Sequence, residues 1–291
     1  MLKHTLLATL LATITASASA ALKLEVYNPG EHAVFPVSSE IITGEHDALL
    51  IDAQFQRNDA QQLVEKIRAT GKTLKTIYIS HHDPDFYFGL DVLKAAFPQA
   101  NIVATPQTIA AIKATQAKKV AYWGPVLKEN APKEIVIPSP LAGNQLTLEG
   151  NTINVLGLDG ATPDRTFVWV PALKAVMGGV QVAANIHVWI ADTQSVASRQ
   201  HWLADLDNID KLKPITVIPS HYAVNQDGSA PWSPHNVTFT RQYLHTFEQK
   251  AQSSANSGAL IDAMKQAYPT LGDVSSLELS AKVIKGEMSW P

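Results

Sequence analysis

The chain contains no cysteine. No disulfide can form, a lipid anchor on a cysteine is excluded, and any metal site must be built from histidine and carboxylate ligands alone. Charge of one sign is also missing. The formal net charge is −3, so no basic field points to nucleic acid or to an anionic membrane surface. Charged residues make up 17% of the chain and hydrophobic residues 46%, ordinary proportions for a globular protein with enough apolar surface for a sizeable core. No Gly-x-Ser-x-Gly elbow, phosphate-binding loop or dinucleotide glycine motif is present. No segment is low in complexity, and no internal repeat is visible.

Long apolar runs are absent too. The longest, Leu6 to Ile14, spans about nine residues, whereas a bilayer needs roughly twenty. It follows Lys3 and His4 and precedes Ala18-Ser19-Ala20, small residues at the positions a signal peptidase reads. The expectation is a cleaved leader over residues 1–20. The mature chain, 21–291, would then be periplasmic or secreted and not inserted in the membrane.

What is present is an alternation of strands and helices. Leu24 to Tyr27, Glu40 to Thr43 and the wholly apolar Ala48-Leu49-Leu50-Ile51 read as strands. Asn58 reads as a helix N-cap, with Ala60, Leu63 and Ile67 at helical spacing and Gly71 ending the helix. Thr76 to Ile79 is another buried strand, then a helix from about Leu90 to Phe97, a strand from Asn101 to Ala104 and a helix from Pro106 to about Lys118. The second half repeats the style. Strands at Gln145 to Leu148 and Thr152 to Leu156 flank a turn at Glu149-Gly150-Asn151, with more at Thr166 to Val170, Ala175 to Met177 and Ile215 to Ile218. Ser195 to Leu212 is helical, and a helical segment begins at about residue 234. No Pro/Gly/Ser-rich linker divides the chain, which predicts a single α/β domain with sheets in the middle and helices outside.

The chemistry-bearing stretch is His81-His82-Asp83-Pro84-Asp85-Phe86-Tyr87-Phe88-Gly89, at the end of an apolar strand. Imidazoles and carboxylates crowded on one loop suit a divalent cation. The same residues equally suit a turn whose Asp side chains cap the next helix. His187, in Asn185 to Asp192, is read evenly as a further ligand or a core histidine. His82, Asp159 and Asp164 read as bystanders or turn formers. Tyr87, Trp123, Tyr222 and Trp232 are candidates to line a pocket.

This loop resembles the His-x-His-x-Asp-His-x-x-Gly motif of the metallo-β-lactamase superfamily, with His81, Asp83, Asp85, Phe86 and Gly89 in its slots. Val217-Ile218-Pro219-Ser220-His221 is similar to the late strand that ends in the family's ligand histidine. The resemblance covers about residues 23–225. It implies a four-layer αββα sandwich of two mixed sheets, and a metal held by His81, Asp83, Asp85 and His221, with His187 as a candidate replacement ligand. The departures are Asp83 for a histidine, Phe86 for a histidine, Ala161 in the usual mid-chain histidine slot, and no carboxylate in Val176-Met177-Gly178-Gly179-Val180 where a bridging aspartate belongs. The expected activity is metal-dependent hydrolysis of a small ester, lactone or amide, with zinc by default (Mn or Fe as alternatives) and Asp85 as proton acceptor. The competing reading is a metal-free, inactive member that binds a small molecule.

Overall fold

A computed structural model describes residues 21–290. The expected leader lies outside the described residues.

Two sheets stack face to face. The first holds six strands in sequential order: β1 (Lys23–Tyr27), β2 (Ser39–Thr43), β3 (Asp47–Ile51), β4 (Thr73–Ile79), β5 (Asn101–Ala104) and β6 (Ser139–Pro140). The pairs β1/β2 and β2/β3 are antiparallel; the others are parallel. Each of the β3–β4 and β4–β5 crossovers carries helix: α1 (Arg57–Ala69) in one, the short α2 (Pro84–Tyr87) and α3 (Leu90–Ala96) in the other. Parallel neighbours require such crossovers, and the helices cover the sheet's outer face. α4 (Pro106–Leu127) follows β5.

The second sheet begins with the hairpin β7 (Gln145–Leu148) and β8 (Asn151–Leu156), continues through β9 (Phe167–Val170) and β10 (Ala175–Met177), and ends on a short parallel strand, β12 (Thr216–Val217). The hairpin turn has positive φ at both Glu149 (47°) and Gly150 (79°), the geometry whose twist matches the flanking strands. Glu149 bears this cost and uses its carboxylate. It accepts hydrogen bonds from the backbone N–H groups of Glu45, His46 and Asp47 in the turn between β2 and β3, tying the two sheets at that end. Two further short strands, β11 (Ala183–Ala184) and β13 (His221–Tyr222), pair in parallel. The remaining helices are α5 (Val196–Leu212), α6 (His235–Ser253), α7 (Ser257–Ala267) and α8 (Val274–Ile284).

Three apolar layers fill the spaces between. Ile41, Leu50, Ile77 and Ile79 pack under the helices of the first half with Leu63, Ile67 and Leu93. Ile42, Leu49, Ile51 and Tyr78 face Ile153, Val155, Val168 and Met177 across the inter-sheet space. Phe167, Val176 and Val217 pack against Trp202, Leu206, Tyr243 and Phe247 of α5 and α6. Alternate residues of β3 thus enter different layers, as strand periodicity requires. The architecture is the expected αββα sandwich.

Several expected boundaries shift. Asn58 does not cap α1: Gln56 is the N-cap, without a side-chain cap bond, and Asn58 donates instead to the carboxylate of Asp59. The helix expected to stop near Lys118 runs to Leu127, with Pro125 in its last turn. Ser195 caps α5 by accepting the N–H of Ser198. Among the described residues no helix is long and apolar enough to cross a membrane.

Candidate functional site

Strands β3 and β4 are parallel neighbours, so their carboxyl ends lie side by side. Open α/β sheets place their ligands at such an edge. Asp52 leaves β3 with φ 61°, and Gln54 follows with φ 74°. These left-handed conformations are strained for non-glycine residues and are held by backbone bonds: Asp52 N–H to the Tyr78 carbonyl, Ala53 N–H to that of Phe86, and Gly89 N–H to that of Gln54. The loop after β3 is therefore laced to the loop after β4. Gly89 lies at their closest approach, where an added Cβ would fall 2.1 Å from the Ala53 carbonyl oxygen.

Beneath the site, the buried Asp52 carboxylate accepts from the Ser80 N–H (2.8 Å) and hydroxyl (2.6 Å), and the Ser80 hydroxyl oxygen accepts from Gly179 N–H at 2.7 Å. Burial raises the Asp52 pKa to about 8, against the two Ser80 hydrogen bonds, which lower it. Gly179 has φ 71°, and a Cβ there would meet the Thr166 carbonyl oxygen at 1.9 Å. The glycine where a bridging aspartate was expected is thus a place where only backbone fits.

Asp85 and His221 meet above this floor. His221 Nε2 lies 3.0 Å from Asp85 Oδ2, and His221 Nδ1 lies 2.7 Å from the Pro36 carbonyl oxygen. A carbonyl only accepts, so Nδ1 carries a proton and Nε2 faces the carboxylate. Burial pulls the His221 pKa down, but the hydrogen bond and charge of Asp85 outweigh it, and the net direction is upward. Burial likewise raises Asp85, opposed by His221. Phe86, in the slot of a ligand histidine, packs edge-on against His221 with ring centroids 5.7 Å apart.

Asp83 is engaged elsewhere. Its Oδ1 accepts from Lys119 Nζ at 2.7 Å, and Lys119 is 3% exposed. Burial pushes the Asp83 pKa up, but Lys119 and the two neighbouring histidines hold it well below the usual carboxylate range. His81 is buried, and its Nδ1 accepts the N–H of Asp83 at 3.2 Å. A neutral ring whose Nδ1 accepts must carry its proton on Nε2, and that buried nitrogen has no acceptor among the described residues. His82 Nδ1 lies 3.1 Å from Asp164 Oδ2, pairing two residues that read separately as bystanders.

His187 is separated from this group. Ile186 and Val188 on either side line the pocket, while the buried His187 ring faces α6 with Nδ1 3.0 Å from the Tyr243 hydroxyl. Of its two even readings, the core histidine is the one the packing supports.

Asp83, Asp85, Lys119 and His221 form the polar floor of a pocket whose walls are Phe35, Phe55, Trp123, Val180, Val182, Trp189 and Trp290, among others. Trp123 is the one pocket candidate of the sequence that lines it together with Lys119; Tyr87, Tyr222 and Trp232 do not. Lys119, Asp192, Arg165 and Trp290 complete the surroundings. Asp192 accepts from the indole N–H groups of Trp189 and Trp290. The signal for Lys119 lay in α4, where Ile109, Ile112, Lys119 and Trp123 follow one helical stripe with a lysine among apolar residues.

A model of the metallo-beta-lactamase superfamily matches residues 32–221. The chain belongs to the metallo-beta-lactamase superfamily. A metallo-beta-lactamase from Pontibacter korlensis shares the fold, with 18% identity and a TM-score of 0.56 over 78% of this chain and 96% of that one. The DIM-1 metallo-beta-lactamase, in a crystal structure exposed to ceftazidime, gives 20% identity and a TM-score of 0.51 over 78% and 93%. A search of curated proteins found no match.

Superfamily members typically bind divalent metals such as zinc, so the donor set of this chain can be tested against that need. The 3.0 Å between Asp85 and His221 suits two ligands of one ion, each about 2 Å from it. A third is missing. The one lone pair of neutral His81 is taken by the Asp83 N–H, Asp83 is taken by Lys119, and the remaining slots hold Phe86 and Ala161. Among the described residues no three histidine or carboxylate side chains converge in a metal-binding arrangement. The residues present do not fit the group.

Proposed function

We propose that the protein is a hydrolase of a small, largely apolar ester, lactone or amide, with the Asp85–His221 couple as its proton carrier. Members of the superfamily are mostly hydrolases, and membership supports a hydrolase-type function in general. The observation that carries the finer reading is the couple itself: two titratable groups 3.0 Å apart, one anchored to a backbone carbonyl, at the floor of an aromatic-walled pocket.

The chemistry follows from the placement. With Asp85 ionised and His221 neutral, the couple has room for one proton. A water held against it gives up that proton as its oxygen adds to the substrate carbonyl carbon. When the tetrahedral adduct collapses, the C–O or C–N bond breaks and the couple returns the proton to the leaving oxygen or nitrogen. The Lys119 ammonium at the same floor places positive charge near the developing oxyanion. The apolar walls exclude other water and favour a substrate without charge. The net charge supports a small molecule as partner in place of nucleic acid, and the leader-like residues 1–20 support a periplasmic or secreted location.

The test is a panel of chromogenic esters, lactones and amides given to the purified mature protein, with and without chelator. Turnover that survives the chelator and falls by at least about 100-fold in both Asp85→Asn and His221→Ala is the expected result. No turnover by the wild type, together with saturable binding of apolar ligands that His221→Ala leaves intact, would overturn it in favour of the small-molecule binding protein.

A further inference from the structure

Three carboxylates act on one another here, Asp83 and Asp85 on the loop after β4 and Asp192 in the segment between β11 and α5, and each raises or is raised by another of the three. Such a group buried together needs compensating positive charge. In a metallo-hydrolase a divalent ion could supply it, but here the donor set does not close around one.

Two basic side chains stand in the cluster instead. Lys119 reaches from α4 to put its ammonium 2.7 Å from Asp83, with Trp290 beneath it at 5.3 Å from ring centroid to nitrogen. Burial opposes its charge, yet Asp83, Asp192 and Asp85 together hold it protonated. Arg165 is 4% exposed, lies over the Trp202 ring at 4.6 Å, and feels Asp192, Asp83 and Asp164. A lysine is a poor choice for the interior of an amphipathic helix unless its charge is used there.

We propose that the Lys119 ammonium is a built-in cation that takes the electrostatic place of a metal ion in this chain, by occupying Asp83 and neutralising the carboxylates of the loop. The pairing also explains the sequence. A histidine in the Asp83 slot would leave the buried ammonium without a partner, and an aspartate there without Lys119 would leave a bare carboxylate. The departure at Asp83 and the buried Lys119 thus form one pair. The inference does not rest on the hydrolase reading, because every readout below is free of substrate.

The test uses the full mature chain, purified without metal, and compares wild type with Lys119→Met, Lys119→Arg and the double variant Asp83→Asn/Lys119→Met. Each is titrated with Zn²⁺ alone, followed by calorimetry, native mass spectrometry and thermal unfolding. Wild type and Lys119→Arg are expected to bind no stoichiometric zinc and to keep their melting temperature on its addition. Lys119→Met, with buried carboxylates uncompensated, is expected to melt lower and to bind one zinc at least about 100-fold more tightly than wild type, recovering its lost thermal stability. If that variant does not fold without metal, its folding on zinc addition is the same result. The double variant is expected to fold and to lose most of the zinc response. Stoichiometric zinc on the wild type would overturn the proposal. So would a Lys119→Met protein as stable as wild type and indifferent to zinc, or a double variant that binds zinc as well as the single one.

Discussion

His221 Nε2 and Asp85 Oδ2 lie 3.0 Å apart, with His221 Nδ1 fixed on the Pro36 carbonyl. The imidazole is thus oriented by one protein group at each ring nitrogen, and Asp85 decides where its second proton resides. Asp85→Asn keeps the shape and removes the acceptor. It is expected to lower kcat by about 10²- to 10⁴-fold with KM nearly unchanged, measured on the best substrate of the panel. A loss confined to KM would assign Asp85 to binding only.

The same relationship fixes a pH profile. The couple accepts a proton only when His221 is neutral. Because Asp85 raises the His221 pKa above the ordinary imidazole value near 6.5, the active form accumulates as pH rises through that higher value. Activity should therefore climb on the alkaline side of 6.5. In Asp85→Asn, burial acts on His221 without the opposing carboxylate, so the midpoint of the residual activity should move to lower pH. A midpoint that stays in place would separate His221 from the profile.

Glu40 is wholly buried, neither carboxylate oxygen has a hydrogen-bond partner among the described residues, and burial together with nearby Asp52 raises its pKa well above the ordinary value. The folded state thus retains protons on Glu40 and Asp52 that the unfolded chain releases near pH 4. Stability should fall as pH rises from there, through about 8 in the case of Asp52. Glu40→Gln carries no charge to bury. Its melting temperature relative to wild type should increase steadily between pH 5 and pH 9, a trend that differential scanning calorimetry can follow. A constant difference would show that Glu40 does not titrate on folding.

Gly89→Ala places a methyl group 2.1 Å from the Ala53 carbonyl oxygen and 2.7 Å from Ala60 Cβ. The two loops must separate, and a loss of about 3 kcal/mol in unfolding free energy is expected from denaturant titration. His187→Ala should behave differently. It breaks a contact with Tyr243 away from the pocket, so stability should drop by about 1–3 kcal/mol while kcat/KM stays within about twofold.

The layers of this fold were legible because Ala48 to Ile51 in β3 and Ile77 to Ile79 in β4 are apolar and buried, and because the order of elements is regular. Strands β5, β7 and β10 fall where periodicity puts them. The end of α4 was not legible. Lys118 and Lys119 break the apolar pattern, and only the pairing of Lys119 with Asp83, 36 positions upstream, restores the sense of the helix. The site shows the same division. His81, Asp83, Asp85 and His221 could be named from one loop and one strand end. That His81 spends its lone pair on a backbone N–H, or that Asp83 belongs to a lysine, depends on geometry between distant segments and leaves no local trace. His187 is a similar case: its two readings stood even in the sequence, and only the contact with Tyr243, 56 positions downstream, places its ring in the core.

The Ser80 hydroxyl joins Asp52, at the end of the first sheet, to Gly179, just past a strand of the second. The pocket inherits that connection, since Asp83, Asp85 and Lys119 of its floor come from the first half of the chain and His221, with much of the wall, from the second. The aromatic-walled pocket is lined from both halves of the chain. Occupancy is therefore coupled to the docking of the halves: a bound molecule would hold the two sheets together as a single cooperative unit. Slowed amide hydrogen exchange would then be expected at Gly179 and Ser80 alike, far beyond the residues that touch the ligand.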